Sequence, residues 1–314
     1  MSRLFLSWFL IIACLQVQGQ EQGQSSSSIP GAVAQFRKSV VFIELKCDKG
    51  RQTLDVRATG FFVQYPDTRI PAGSFSYLVT NRHAAMCWDD GRVPMKVASV
   101  SVKFNLRDGS SRVEALSQHG NASWFLPADE SVDLAVLPLL LDPKLVDYLT
   151  CPLSYFVTKE GLRSGNVSAG ARILFSGFFY QFPGKNRIQP IVRQGILAMI
   201  PDEQLVNTTD RPGDVYLGDV HIFGGNSGSP VLIDVNSNRD NFMGFPSYRF
   251  LGVISGLFYE DQNFNLKAAT TFKGTMHANS GIALIVPADA LESLLDDPRV
   301  QGQRDADVKR ILGR

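Results

Sequence analysis

Phe223-Gly224-Gly225-Asn226-Ser227-Gly228-Ser229-Pro230 is a turn built around one serine. Gly224 and Gly225 free the backbone before Ser227, and Gly228 lets the chain turn sharply where a Cβ would crowd it. Pro230 then opens an apolar run, so the serine stands at the mouth of a strand. Backbone N–H groups freed in this way can converge on a developing negative charge. A serine hydroxyl is nevertheless a poor nucleophile until an imidazole takes its proton and a buried carboxylate fixes the imidazole's tautomer. Working outward, Leu78-Val79-Thr80-Asn81-Arg82-His83-Ala84-Ala85 offers the imidazole and Ser131-Val132-Asp133-Leu134-Ala135-Val136 the carboxylate. Asp129 and Glu130 compete with Asp133 but sit in a polar loop, whereas Asp133 leads directly into an apolar strand that can bury it. Ser229, the near rival of Ser227, precedes the proline that opens the next strand. The ordinary alternatives are a packed histidine and a plain tight turn; what weighs against them is that all three strings occur together.

The chain order is His83, Asp133, Ser227, with about fifty residues in the first gap and nearly twice that in the second. Triads on unrelated folds run in different orders. This order, spacing and wording resemble the chymotrypsin-like (trypsin-like) serine protease family over roughly residues 38–290, and the Gly-Asn-Ser-Gly wording is closest to bacterial members. The resemblance implies an all-β fold of two packed antiparallel six-stranded β-barrels with a C-terminal helix. His83 and Asp133 would come from the first barrel and Ser227 from the second, with the site in the cleft between. It implies a serine endopeptidase acting on protein or peptide substrates through an acyl-enzyme, with no metal or organic cofactor. His83 would be base and then acid, Asp133 its orienting partner, Ser227 the nucleophile, and the N–H groups of Gly225 and Ser227 the oxyanion hole.

Departures from the family pattern carry expectations of their own. Asn226 stands where trypsin-type enzymes carry the aspartate that receives a newly cleaved N-terminus, so activation by that salt bridge has no acceptor here. His221 falls where trypsin keeps its pocket aspartate, which removes the basis for an Arg or Lys preference. Residues 252–257 resemble the strand that pairs with a substrate backbone, with Ser255 where the family often supports the buried aspartate. His221, Ser255 and Gly256 are therefore the candidate substrate-binding residues. His119, His221 and His277 also read as ordinary surface or core histidines. Ser229 replaces the last glycine of the Gly-x-Ser-x-Gly elbow, which counts against an esterase or lipase. The alternative from another functional class is a catalytically silent binding or scaffold protein on the same fold.

The chain has 314 residues, 44% hydrophobic and 19% charged, with a formal net charge of +1; this describes a globular protein and gives no basic surface for nucleic acid. Residues 1–19 read as a secretion signal, with a basic start, an apolar run too short to span a membrane, and Val17 and Gly19 before the cut. Ile11-Ile12-Ala13-Cys14 alternatively resembles a lipobox, which would tether the protein to a membrane through an acylated Cys14. Both readings place the protein outside the cytoplasm, secreted or periplasmic. Residues 20–35 form a flexible polar segment and 36–300 the peptidase domain, with barrel one over about 36–140 and barrel two over about 165–287; 301–314 is a C-terminal tail or helix. Period-two apolar patterns predict strands at 40–46, 58–64, 76–80, 97–104 and 133–137, then at 171–178, 191–200, 215–222, 230–234, 250–257 and 282–286. A helix is predicted over 288–295 behind Pro287, and polar insertions over 236–248 and 260–280.

Cys47, Cys87 and Cys151 remain after signal removal, an odd number for an oxidising compartment. One pair and one thiol are expected. A Cys47–Cys87 bridge would pin the histidine loop, Cys151 is an equal alternative partner, and all three fit equally as buried small hydrophobes. No Cys-x-x-Cys or His-x-x-x-His spacing suggests zinc. Three Asn-x-Ser/Thr triplets, at Asn121, Asn166 and Asn207, carry no functional weight.

Overall fold

The structure is a computed structural model that describes residues 35–50, 52–89, 93–117, 121–165, 167–237, 247–267 and 271–313, with the backbone alone for 260–267 and 271–278. Residues 1–34, with the expected signal and Cys14, lie outside these residues together with His119, as does the side chain of His277. No helix among the described residues is long and apolar enough to cross a membrane.

The first half is a seven-stranded sheet of β1 (Val40–Lys49), β2 (Gln52–Pro66), β3 (Ser74–Thr80), β4 (Val97–Asn105), β5 (Ser111–Ser117), β6 (Ala135–Pro138) and β7 (Thr150–Pro152). The path is β5-β4-β1-β2-β3-β6, antiparallel throughout, with β7 added parallel to β2. Alternation puts Val41, Ile43, Leu45 and Cys47 of β1 into one core with Val100, Val102 and Phe104 of β4. The middle of β2 is buried on both faces: Phe62 enters that core, while Phe61 and Val63 face the second half. Among the described residues β5 and β6 share no ladder, so the first of the two expected barrels is an open sheet here. The reason is visible in β5, whose residues are mostly exposed and offer no inward apolar face. A partial seam forms instead where Phe125 and Val136 of β6 exchange backbone hydrogen bonds of 2.8 and 3.0 Å.

The second half closes fully. β8 (Arg172–Gly177), β9 (Ile191–Met199), β10 (Tyr216–Asp219), β11 (Pro230–Asp234), β12 (Tyr248–Lys267) and β13 (Thr271–Pro287) form a barrel in the order β8-β9-β10-β13-β12-β11. Ile173, Phe175, Leu197, Val231, Ile233 and Ile285 fill it. The expected polar insertion at 260–280 is largely the outer part of the β12–β13 hairpin, paired from Glu260↔Ala278 to Lys267↔Thr271. A ladder uses backbone groups, so polar side chains did not prevent it. Residues 238–246 of the other expected insertion lie outside the described residues.

Among the described residues the α-helices are α1 (Arg82–Ala85), α2 (Lys159–Ser164), α3 (Ala288–Leu295) and α4 (Pro298–Leu312). The C-terminal segment is thus helical and begins before residue 301. Its signals are local: Asp297 accepts from Arg299 N as N-cap, Pro298 opens the first turn, and Gly313 ends it at φ +68°. Val300, Arg304 and Val308, four residues apart, form the buried stripe of α4. Arg304 Nη1 donates to Tyr77 Oη (3.1 Å) and Leu295 O (2.8 Å), and its guanidinium lies 3.9 Å from the Tyr65 ring centroid. Through these contacts a helix that follows the second half is fastened onto β2 and β3 of the first. One core is shared by both halves, with Phe61, Val79 and Leu134 meeting Leu174, Phe250, Leu291 and Leu295.

Candidate active site

His83 lies on α1, a single helical turn that starts after Asn81, whose carbonyl accepts from the N–H groups of Ala84 and Ala85 at 3.1 and 2.9 Å. The Asn81 side chain is fully buried and donates from Nδ2 to the carbonyl of Asp133 at 2.8 Å. Arg82 reaches the opposite way, from Nη2 to Pro127 O at 2.5 Å, so both neighbours of the helix start hold the chain that leads into Asp133. The disulfide Cys47–Cys87, with Cα atoms 5.6 Å apart, ties the end of this segment to β1. Cys151, in β7, is not part of it.

The carboxylate of Asp133 is 1% exposed and the imidazole of His83 37% exposed, so one is shielded while the other reaches solvent. Asp133 Oδ1 accepts from His83 N at 3.0 Å, and Oδ2 meets His83 Nδ1 at 2.7 Å. Oδ2 also accepts from Ser255 Oγ at 2.5 Å and Thr208 Oγ1 at 2.9 Å, and those two hydroxyls stand 2.5 Å apart. Two hydroxyl protons therefore serve three contacts around one carboxylate oxygen. Burial alone would raise the Asp133 pKa; the charge of His83 and the donors from His83 and Ser255 outweigh it and hold the group down at about 2. A permanently ionised carboxylate on Nδ1 keeps the proton of neutral imidazole there and leaves Nε2 as its basic nitrogen.

Ser227 arrives from the other half. Its Oγ lies 3.4 Å from Ser255 O, so Ser255 touches both Ser227 and Asp133. Asn226 N donates to Phe223 O at 3.0 Å and Gly225 has φ +93°, which makes Phe223–Asn226 a type II turn with glycine where positive φ is required. Among the described residues the N–H groups of Gly225 and Ser227 donate to nothing. Asn226 is buried and serves the turn from inside, accepting from Phe223 N at 2.8 Å and donating to Phe178 O at 2.6 Å. Outside, the Arg193 guanidinium lies 4.8 Å from the centroid of the Phe223 ring. β2 holds the turn as well: Thr59 N donates to Ser227 O (2.9 Å) and Thr59 Oγ1 to Gly225 O (2.7 Å). A Cβ on Gly228, at φ +84°, would stand 2.0 Å from Thr59 O.

His221 is exposed, and its ring is 3.5 Å from where a Cβ on Gly281 would stand. Gly256 has no room for a side chain, since a Cβ would meet Thr208 Cγ2 at 2.3 Å. Ser255, expected to lie on the substrate strand and to support the buried aspartate, is 1% exposed and turns its side chain to Asp133, leaving its backbone to face the nucleophile loop. Beyond Ile254, β12 pairs with β13 alone, because its ladder with β11 ends at Val253. Thr59 and Thr208 escaped sequence reasoning, for they lie 166 residues from Gly225 and 75 from Asp133 with no motif to link them. Asn207, read only as a glycosylation triplet, is 7% exposed and donates to Ser131 O at 2.8 Å; it anchors the loop carrying Thr208.

No family model and no curated protein matches the chain. Among solved structures it is similar to Deg5, at 17% identity and TM-score 0.44, covering 83% of this chain and 88% of that one. It is also similar to the HtrA-type protease AlgW with a decapeptide (17%, TM-score 0.46, covering 85% and 66%) and to a serine endoprotease from Yersinia pestis (16%, TM-score 0.45, covering 87% and 69%). At these values the likeness says nothing about chemistry, which rests on the residues of this chain.

Proposed function

We propose that this protein is a serine endopeptidase in which His83, Asp133 and Ser227 act as one catalytic unit. The observation that carries the reading is the buried carboxylate of Asp133, held ionised on Nδ1 of a solvent-reaching imidazole and linked through Ser255 to Ser227. In the proposed reaction His83 Nε2 takes the Ser227 proton as Oγ adds to a peptide carbonyl. The oxygen becomes negative against the N–H groups of Gly225 and Ser227, whose orientation the type II turn and Thr59 maintain. Protonated His83 then passes its proton to the leaving amine, and water enters by the same steps in reverse to free the acyl group. The open edge of β12 beyond Ile254 suits an extended peptide added as a strand. The disulfide agrees with an oxidising, secreted or periplasmic setting. Asn226 stabilises the turn without a charge, so an N-terminal extension before Pro30 is expected to leave activity intact. The test is labelling of the purified chain with a fluorophosphonate probe, with Ser227→Ala as control. Labelling lost in the variant supports the reading; a folded chain that takes no label supports a catalytically silent binding protein.

A further inference from the structure

Residues 178–190, the connection between β8 and β9, cross onto the first half and are held there at both ends. Phe178 and Ile188 are buried in one cluster with Val40 and Phe42 of β1, and the Phe178 ring meets the Phe42 ring edge-on at 4.2 Å between centroids. Asn105 of β4 takes both backbone groups of Ile188, accepting from its N at 2.9 Å and donating to its O at 3.1 Å, and Arg187 pairs with Asp147 at 3.3 Å. Between these anchors Tyr180 stands 56% exposed. Its ring meets that of Phe178 edge-on at 6.4 Å between centroids, and the Arg57 guanidinium, paired with Glu44 at 3.4 Å, lies 5.3 Å from its centroid. An aromatic ring supported in this way gives up little freedom when an apolar group covers its open side.

The support is continuous with the nucleophile turn. On β2, Thr59 and Arg57 are two residues apart and share a face, opposite Phe42 and Glu44 of β1. Thr59 holds the carbonyls of Gly225 and Ser227, Phe178 O accepts from Asn226 Nδ2, and Phe178 Cδ1 lies 2.6 Å from where a Cβ on Gly225 would stand. The turn thus has β12 on one flank, through Ser255, and Thr59 with Phe178 on the other. With the acyl part of a peptide along the β12 edge, the segment beyond the scissile bond leaves over the second flank. An extended chain advances about 3.3 Å per residue, so its first two residues cover the 6.4 Å from Phe178 to Tyr180.

We propose that Tyr180 is a specificity-determining residue, whose open side receives an aromatic or large aliphatic side chain carried by the first or second residue after the scissile bond. The proposal rests on the endopeptidase reading above, and the experiment separates the two. The full-length protein is labelled with the fluorophosphonate probe and then given a library of proteome-derived peptides, with mass spectrometry reading the residues on both sides of every cut. Phe, Tyr, Trp, Leu, Ile or Met should be enriched at one of those two positions. Replacing that residue by Ala in the best-cleaved peptide should lower kcat/KM about fivefold, the usual worth of an aromatic contact. Tyr180→Ala should abolish that difference and leave the preference before the cut as it was, whereas Tyr180→Phe, which keeps the ring, should retain it. Fluoride is the group that leaves the probe, so labelling reports Ser227 without a contact to Tyr180. A folded parent that takes no label removes the endopeptidase reading, and this proposal falls with it. A labelled parent that cleaves no peptide, or cleaves without that preference, overturns the proposal alone. So does Tyr180→Ala if it keeps the preference, if its labelling falls as far as its cleavage, or if light scattering shows that it splits an assembly of two copies while selectivity is unchanged.

Discussion

The half that carries His83 and Asp133 is an open sheet held by a disulfide; the half that carries Ser227 is a closed barrel in which the described residues contain none. In a closed barrel every strand has two partners and no edge needs protection. The open sheet lacks that closure, and the link from β1 to the residue behind His83 supplies a constraint of another kind. The two halves also build their parts of the site differently. The imidazole and carboxylate are joined within one half, directly and by short links through Asn81 and Arg82. The nucleophile turn depends on a residue of the opposite half, Thr59, for two of its carbonyl partners. The site is therefore a property of the interface rather than of either unit.

The largest expected effect removes the nucleophile. Ser227→Ala should cost about 10⁴-fold or more in kcat, His83→Ala a similar factor, and the double variant little more, because parts of one unit are not additive. Steady-state kinetics on any cleaved peptide would show it, and additive losses would mean that the two halves do not act together. Next is the staple of the open half. Cys47→Ala with Cys87→Ala should cost about 4 kcal/mol for a loop of 40 residues. Hydrogen exchange should report the loss in β1 to β6 while β8 to β13 keep their protection; equal loss in both would erase the contrast drawn above.

Gly228→Ala attacks the seam. Its Cβ would meet Thr59 O and Thr80 Oγ1 at positive φ, and about 3 kcal/mol of stability should go, with most of the fluorophosphonate labelling. Thr208→Val keeps shape and removes a donor to Asp133; kcat should fall about tenfold with KM unchanged, in line with about 1.5 kcal/mol for a hydrogen bond to a charged group. The smallest effect is a pH response confined to acid. Asp133 is held at about 2, below an ordinary carboxylate near 4, so its contribution to stability is complete above about pH 4 and is lost as pH falls toward 2. The melting temperature of Asp133→Asn should converge on that of the parent over that window.

Much of the site could be read directly. The glycines around Ser227, the small residues after His83 and the strand behind Asp133 are local signals, each spelled within eight residues. α4 carries local signals too, in Asp297, Pro298 and Gly313, but its exposed polar face leaves a weak period along residues 301–314. The outer β12–β13 hairpin was not legible, since its pairing runs through backbone groups and leaves no period in the side chains. β5 was missed for the opposite reason: it is an exposed edge, and alternation appears only where one face is buried.

The amino-acid sequence by itself determined the chemistry on offer, an imidazole, a carboxylate and a hydroxyl on glycine-bearing or strand-flanking segments, because those depend on residue type and near neighbours. Only the tertiary structure decided that Thr208 joins Ser255 on the carboxylate, that Thr59 holds the turn from the far half, and that one sheet closes while the other stays open. Those are contacts between residues 75 to 166 positions apart, and hydrogen bonds across such distances are set by how strands stack and leave no pattern along the chain.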